Sequence, residues 1–172
     1  MNNQKQRRAR GARPTAVALA LFTCAALATQ AEVICLESEQ FADRGGWAVD
    51  SQFIDQMGST FLLAHGMGKP VADAVTSFDC REAGTYHVWA RTRNWTAPWS
   101  EHAAGTFTIK VNGKELPNVL GRGTGDWQWQ KAGEVKLAKG KTAVSLHDLT
   151  GFDGRCDMVC LSPVDGKPVM PV

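Results

Sequence analysis

No stretch of this 172-residue chain is apolar for the roughly 20 residues that a membrane-spanning helix needs. The longest apolar run, AVALALFTCAALA from Ala16 to Ala28, follows Lys5, Arg7, Arg8, Arg10 and Arg13 with no acid among them, and is followed by TQA. A basic start, a short apolar core and a small-residue end make a secretory signal peptide over residues 1–31, cleaved after Ala31, rather than an anchor. Arg7-Arg8 lacks the usual surroundings of a twin-arginine signal, and Phe22 and Thr23 are too bulky for a lipoprotein site at Cys24. There is also no excess of positive charge. The formal +2 includes five leader residues; without them fourteen basic residues face seventeen acids, so the mature chain is at −3 and nothing points to nucleic acid. No G-x-G-x-x-G sits between a strand and a helix, which excludes a flavin fingerprint. GRGTG at Gly121–Gly125 lacks the Lys-Ser/Thr of a phosphate loop and precedes a strand, so it reads as a connection. No helical period of any strength appears, and there is one tyrosine.

What is present is β-sequence. With 44% hydrophobic and 21% charged residues, the chain builds one ordinary domain with its own core. EVICLE, ADAVTSFD, TYHVWART, GTFTIKVNG, AGEVKLAKG and TAVSLHDL are short, alternating, and rich in β-branched and aromatic residues, with Gly, Pro and Asn between them. Asn112-Gly113 inside VNGKEL is a hairpin signal. TAVSLHDL, TGFDGR and DMVCL read in turn as strand, polar loop and last strand. The fold class is all-β, a sandwich or barrel. Cys35, Cys80, Cys156 and Cys160 remain after the leader, an even count in an exported chain, so two disulfides are expected with three pairings open.

Six tryptophans stand out against the single tyrosine. A sugar offers a flat C–H face ringed by hydroxyls, and is bound by an aromatic platform with a few placed polar groups. Trp95 and Trp99 in RNWTAPWSEH follow the strand TYHVWAR and are candidates for that platform. Trp127 and Trp129 alternate onto one strand face, with one of them core; Trp89 is expected in the core and Trp47 is left open.

In this order, EVICLESEQF, REAGTYHVWART, DWQWQKAGEVKLAKGKTAVSLH and GRCDMVCLSP resemble the galactose-binding-like β-sandwich jelly rolls of carbohydrate-binding module families 6 and 35, over essentially the whole mature chain. GGWAVDSQFIDQMGSTFLLAHG, ARTRNWTAPW and LHDLTGFDGRCD are similar, more closely, to a module attached to bacterial secreted FAD-dependent oxidoreductases and polysaccharide-degrading enzymes. The resemblance implies a module over 32–166 with a tail at 167–172. It implies a structural calcium ion (Ca2+) held by Glu37, Glu39 and Asp157, the clustered carboxylates such a hard cation prefers. It also sets HDLTGFDGR beside the ligand rim, offering His147, Asp148, Asp153 and Arg155 to hydroxyl or carboxylate groups. Cys35, Cys80 and Cys160 replace the plain apolar residues usual in such modules, which favours disulfides over a new site.

Three other readings stand beside this one. Asp148, Thr150 and Asp153 are residues that hold their own turns. His147, Asp148, Asp153 and Asp157 hold the groups of an acid/base pair, without any carboxylate separation to support it. Cys156-x3-Cys160 with His147 is not a zinc spacing. Strand parity raises one conflict: pairing Cys35 with Cys160 puts Asp157 on the face opposite Glu37 and Glu39, unless a bulge intervenes or the cysteines pair otherwise. The expectation is therefore a non-catalytic, secreted or periplasmic glycan-binding protein. The alternative is an accessory module docked on a separately encoded exported oxidoreductase or polysaccharide lyase.

Overall fold

A computed structural model describes residues 32–100 and 102–169; the signal peptide expected at 1–31 lies outside them. Among the described residues there are ten strands: β1 (Ile34–Glu37), β2 (Ala48–Asp50), β3 (Phe61–His65), β4 (Ala74–Cys80), β5 (Gly84–Thr92), β6 (Phe107–Val111), β7 (Lys114–Glu115), β8 (Gln128–Leu137), β9 (Gly140–Asp148) and β10 (Phe152–Ser162). A 3-10 turn at Ser38–Gln40 and one short helix, α1 (Ile54–Met57), complete the described elements. One sheet runs β2-β3-β10-β5-β8, with β1 also on β10; the other runs β4-β9-β6-β7, and the registers are antiparallel.

The alternation read from the sequence is the alternation of burial. In β5, Tyr86, Val88, Ala90 and Thr92 point inward while His87, Trp89 and Arg91 point out. In β9, Thr142, Val144, Leu146 and Asp148 point inward and His147 points out. The inward sets meet Leu62, Ala64, Phe107, Ile109, Val159 and Leu161 in one core between the sheets. Trp47 joins it, edge-on to Phe107 at 5.6 Å between centroids. Trp89, expected in the core, instead lies half-buried on the outer face of the large sheet with Lys131 Nζ 6.0 Å above its ring, because its inward neighbours Val88 and Ala90 fix its parity.

The Asn112-Gly113 hairpin forms, with φ of 50° and 78° at the two positions, the double positive φ of a type I′ turn. The stretch expected as the loop TGFDGR is shorter in the structure. β10 already begins at Phe152, leaving Leu149–Gly151 as the turn and placing Asp153 and Arg155 on a strand. Gly151 is required there: its φ is +66°, and a Cβ would stand 2.1 Å from the Lys69 carbonyl oxygen.

β10 pairs with three strands and slips register against two of them. Phe152 faces His65 but Gly154 faces Ala64, leaving Asp153 extra; Cys156 faces Thr92 but Met158 faces Arg91, leaving Asp157 extra. Such bulges re-aim side chains and shift parity beyond them. The second removes the parity conflict: Cys35 pairs with Cys160 across β1 and β10 and is disulfide-bonded to it, while Asp157 swings to the side of Glu37.

The second disulfide is not found; Cys80 and Cys156 are free, buried thiols. Cys80 Sγ lies 3.8 Å from Tyr86 Oη, whereas Cys156 sits against Thr92. Tyr86 and Thr92 are about 20 Å apart along β5 at ~3.3 Å per residue, against the ~7 Å Cα separation a disulfide tolerates. Burial pushes the Cys156 thiol well above its ordinary range, so it stays protonated and inert. A chain beginning at Glu32 should therefore be lighter than its fully reduced mass by one pair of hydrogens. Its two remaining thiols should react with a thiol reagent only after denaturation. A loss of two pairs would contradict this register.

Candidate functional site: a rim of loops and the outer face of the large sheet

Four connections meet at one end of the sandwich: 66–73 after β3, 93–106 after β5, 116–127 before β8, and the turn into β10. Backbone bonds tie them together: Gly66 N–H to Gly151 O, Asn94 N–H to Thr124 O, and Leu149 N–H to Thr106 O. The 93–106 connection is built around Asn94, whose Nδ2 donates to Gly123 O at 3.2 Å and whose Oδ1 accepts Thr96 N–H at 3.1 Å. Trp99 and Ser100 N–H both donate to Thr96 O at 2.8 Å. The turn carrying Trp99 is thus pinned by buried Asn94 and Thr96.

On this support Trp99 is 78% exposed, and Trp95 meets it at 6.4 Å with rings inclined by 62°. Trp95 is half-buried and donates its indole N–H to Phe152 O at 2.9 Å. The Arg155 guanidinium lies 5.4 Å from the Trp95 centroid and donates to Asp153 O at 2.8 Å. Asp153 adopts φ +59° in its bulge, with Oδ1 2.5 Å from His65 Nδ1. Trp95, Trp99, Asp153 and Arg155 are therefore brought together, and His65 and half-exposed Phe152 join them.

The other expected ligand residues lie elsewhere. Trp127 packs edge-on against fully buried Phe61 at 5.1 Å and against Phe53 at 6.0 Å. It lies further along the outer face and is not part of the Trp95–Trp99 pair. His147 points out from the opposite sheet, 2.7 Å from Asp73 Oδ1, with Lys110 Nζ 3.0 Å from Asp73 Oδ2. Burial works to raise the Asp73 carboxyl, but these two hydrogen bonds outweigh it and hold it below its ordinary range. Asp148 is 1% exposed and accepts backbone N–H groups of Val71, Thr150 and Gly151 at 2.9, 3.1 and 2.9 Å. Inward parity at the end of β9 commits it to holding the turn and the 66–73 connection.

Sequence reasoning missed Arg93, Phe53 and a cleft of about 460 Å³ lined by Asn94, His102, Ala103, Arg122 and Gly123, on the rim between 93–106 and 116–127. Arg93 Cζ lies 4.2 Å above the Phe53 ring. Its outward parity followed from TYHVWART, but which strand lies beside it is a tertiary fact.

The acidic cluster forms where β1 ends and β3 begins along β10. Ser38 Oγ donates to Cys156 O and turns the chain away from β10, which sets Glu37 and Glu39 beside the Asp157 bulge. Burial, then Glu39, then Asp157 push Glu37 up to about 7, against the pull of Arg91. Burial raises Glu39 and Asp157 as well. Asp157 is fully buried, with Ser59 Oγ 3.0 Å from Oδ1 and Arg91 Nη1 3.1 Å from Oδ2. Glu37 Oε2 and Glu39 Oε2 are buried and find no hydrogen-bond partner. Orphaned carboxylate oxygens in an acid-rich pocket fit a hard cation. The set is not closed into a shell: the trio whose ligand atoms all lie within 4.8 Å of one another, among the described residues, is His87, Glu134 and Asp165. That trio already holds a cation, since Lys131 Nζ is 3.1 Å from Glu134 and 2.9 Å from Asp165.

No protein-family model matches the chain, and no curated protein matches it. Solved structures do. A GH26-CBM35 β-(1,4)-mannanase from Podospora anserina superposes with a TM-score of 0.61 at 14% identity, over 81% of this chain and 29% of that one. A family 35 carbohydrate-binding module from Clostridium thermocellum gives 0.57 at 17% identity, over 76% and 98%. The C-terminal family 6 module of a laminarinase from Zobellia galactanivorans gives 0.52 at 14%, over 76% and 99%. This chain spans less than a third of the mannanase and nearly all of either isolated module. At these identities the likeness establishes the fold alone, the two-sheet β-sandwich that those modules share.

The raised Glu37 makes a pH prediction. Its folded-state value lies near 7 against an ordinary 4.5, so the folded chain holds a proton that the unfolded chain releases, and stability falls as pH rises between these values. In a metal chelator, Glu37→Gln should remove part of that fall and gain most, relative to wild type, at pH 8. Equal melting-temperature differences at pH 4 and pH 8 would contradict the assignment.

Proposed function

We propose that this chain is a non-catalytic, exported glycan-binding module whose ligand rests on the Trp95–Trp99 pair, with Asp153 and Arg155 as its polar partners. The observation that carries the reading is Trp99, an indole left 78% exposed on a turn that buried hydrogen bonds hold in place. Leaving a large aromatic side chain in water forgoes roughly 1.5–3 kcal/mol of burial, which suits a surface that a ligand covers. Stacking takes the C–H face of a sugar, and the carboxylate and guanidinium beside it orient hydroxyls. The fold shared with structures described as carbohydrate-binding modules supports the same reading. Among the described residues no helix is long and apolar enough to cross a membrane. The expected leader and the Cys35–Cys160 disulfide favour the periplasm or the exterior.

The proposal includes a calcium ion held by Glu37 and Glu39 through the oxygens that lack partners, with Asp157 completing the acid set. Its role is structural, neutralising the carboxylates that join the first strand to the last. A second reading, docking on an exported enzyme such as an oxidoreductase or polysaccharide lyase, draws on Met67 and Phe152, which are 83% and 51% exposed beside the same rim.

Trp99→Ala should weaken glycan binding by about 1–3 kcal/mol, the scale of one lost anchor, without moving the melting temperature. Asp153→Asn should weaken it too and tolerates the positive φ that alanine would strain. Binding unaffected by Trp99→Ala in isothermal calorimetry would remove the platform. Co-purification with an exported enzyme, with no glycan bound in any screen, would replace the reading with the docking one. Calcium should raise the melting temperature of the wild type by mass action and leave that of Glu39→Ala unmoved; identical curves in calcium and in chelator would remove the ion.

A further inference from the structure

On the outer face of the large sheet, toward the end away from the rim, three side chains with metal-ligating atoms converge. The registers set His87 on β5 opposite Glu134 on one side and opposite Ser162 of β10 on the other. A slip in β8 leaves Ala132 extra, so Lys131 and Glu134, an odd number of residues apart, both reach that face. Ser162 then folds the chain back. Its Oγ accepts Val164 N–H at 3.1 Å and donates to Val164 O at 2.8 Å, which returns Asp165 to His87.

His87 Nδ1 lies 3.1 Å from Glu134 Oε1 and 3.7 Å from Asp165 Oδ1, and the three atoms lie within 4.8 Å of one another. On one tetrahedral zinc ion, with bonds of about 2.0–2.2 Å, neighbouring ligand atoms stand roughly 3.3–3.6 Å apart. The two distances from the imidazole are thus within a few tenths of an ångström of those a single ion requires. Neither contact is a hydrogen bond: Nδ1 is buried and has no hydrogen-bond partner among the described residues. In the tautomer protonated at Nε2, that nitrogen offers a lone pair, the form in which imidazole binds a metal.

The cation now on the carboxylates is the Lys131 ammonium, which leaves the imidazole nitrogen unused. It is a weak competitor, because both acids are more than half exposed and ion pairs between exposed groups contribute little. Lys131 Nζ also lies 6.0 Å from the centroid of Trp89, a partner that it keeps when the carboxylates are taken. We infer that His87, Glu134 and Asp165 bind a divalent ion of the zinc type in exchange for the Lys131 ammonium, with water completing the coordination. One imidazole and two carboxylates suit zinc, whereas calcium and magnesium take oxygen ligands. The ion ties the segment after β10 to β8, the edge strand of the sheet. Five residues of β10 separate Ser162 from Asp157, roughly 15 Å at the rise of a strand. The site is therefore distinct from the calcium set and independent of the glycan reading.

The test is isothermal calorimetry of the chain from Glu32 onward with zinc chloride and with magnesium chloride, in a buffer that does not bind metal. Wild type should take one zinc ion per chain, at least tenfold more tightly than magnesium. His87→Gln should weaken zinc binding at least tenfold. Asp165→Asn, at an exposed side chain outside the strands, should weaken it as well, and keeps the test open if His87→Gln fails to fold. Lys131→Gln removes the competing ammonium but no ligand, so it should tighten zinc binding severalfold, an effect that general loss of structure would not produce. Glu39→Ala and His147→Gln should leave zinc binding unchanged. Zinc binding that survives His87→Gln and Asp165→Asn, or that is lost in Glu39→Ala or His147→Gln instead, places the ion elsewhere and overturns the inference. So do a wild type that takes no zinc and a Lys131→Gln chain that binds it no more tightly.

Discussion

The functional face depends on β10 being out of step with its neighbours. This strand is bonded to β1, β3 and β5, and it carries one extra residue against β3 and another against β5. With unbroken alternation, Asp157 would point away from Glu37 and the Cys35–Cys160 bridge could not share a strand with the acidic cluster. The bulge at Asp157 reconciles them. The bulge at Asp153 places a carboxylate, in a left-handed conformation, between His65 and the backbone that anchors Arg155. Two insertions in one strand thus set the acid cluster at one position and the Arg–Trp surface at another.

The two clusters are opposite electrostatic problems on one sheet. Around Glu37, Glu39 and Asp157 negative charge outruns its partners, and burial raises all three carboxyls. Around Arg93 and Arg155 positive charge is packed onto aromatic rings with donors left over. Arg91 stands between them and is spent on Asp157. A protein selected for stability alone has little reason to keep both, since each buried, unpaired group costs free energy. The calcium ion proposed at the first cluster would offset the cost there.

How far this was legible in the sequence follows from the range of each interaction. Strand alternation is local, so the inward set of β5 and β9, the Asn112-Gly113 hairpin and the all-β class could be read from residues in order. The resemblance to carbohydrate-binding modules reached the sandwich as well. Strands β2 and β3, of three and five residues, are too short for alternation to mark them. Loop length failed at β9–β10: TGFDGR looks like a polar connection, yet the bulge lets Asp153 and Arg155 stay within the ladder. Residue type misled at Asp148, whose parity turns it inward to bond three backbone N–H groups, and at His147, which lies on the outer face of the opposite sheet because β9 belongs to that sheet. Four cysteines suggested two bridges, but only the pair at one register position is close enough. The seating of Arg155 against Trp95 was beyond reach, because it depends on which connection lies beside β10.

The most direct measurement of the central claim is an NMR titration of the chain from Glu32 onward, labelled with 15N, by an oligosaccharide that it binds in a glycan screen, following the tryptophan indole and arginine Nε–H signals. The account predicts that Trp95, Trp99 and Arg155 move together with a single affinity, while buried Trp47 does not move. Shifts confined to His102, Arg122 and the cleft they line, or no shift in any of the three, would contradict it.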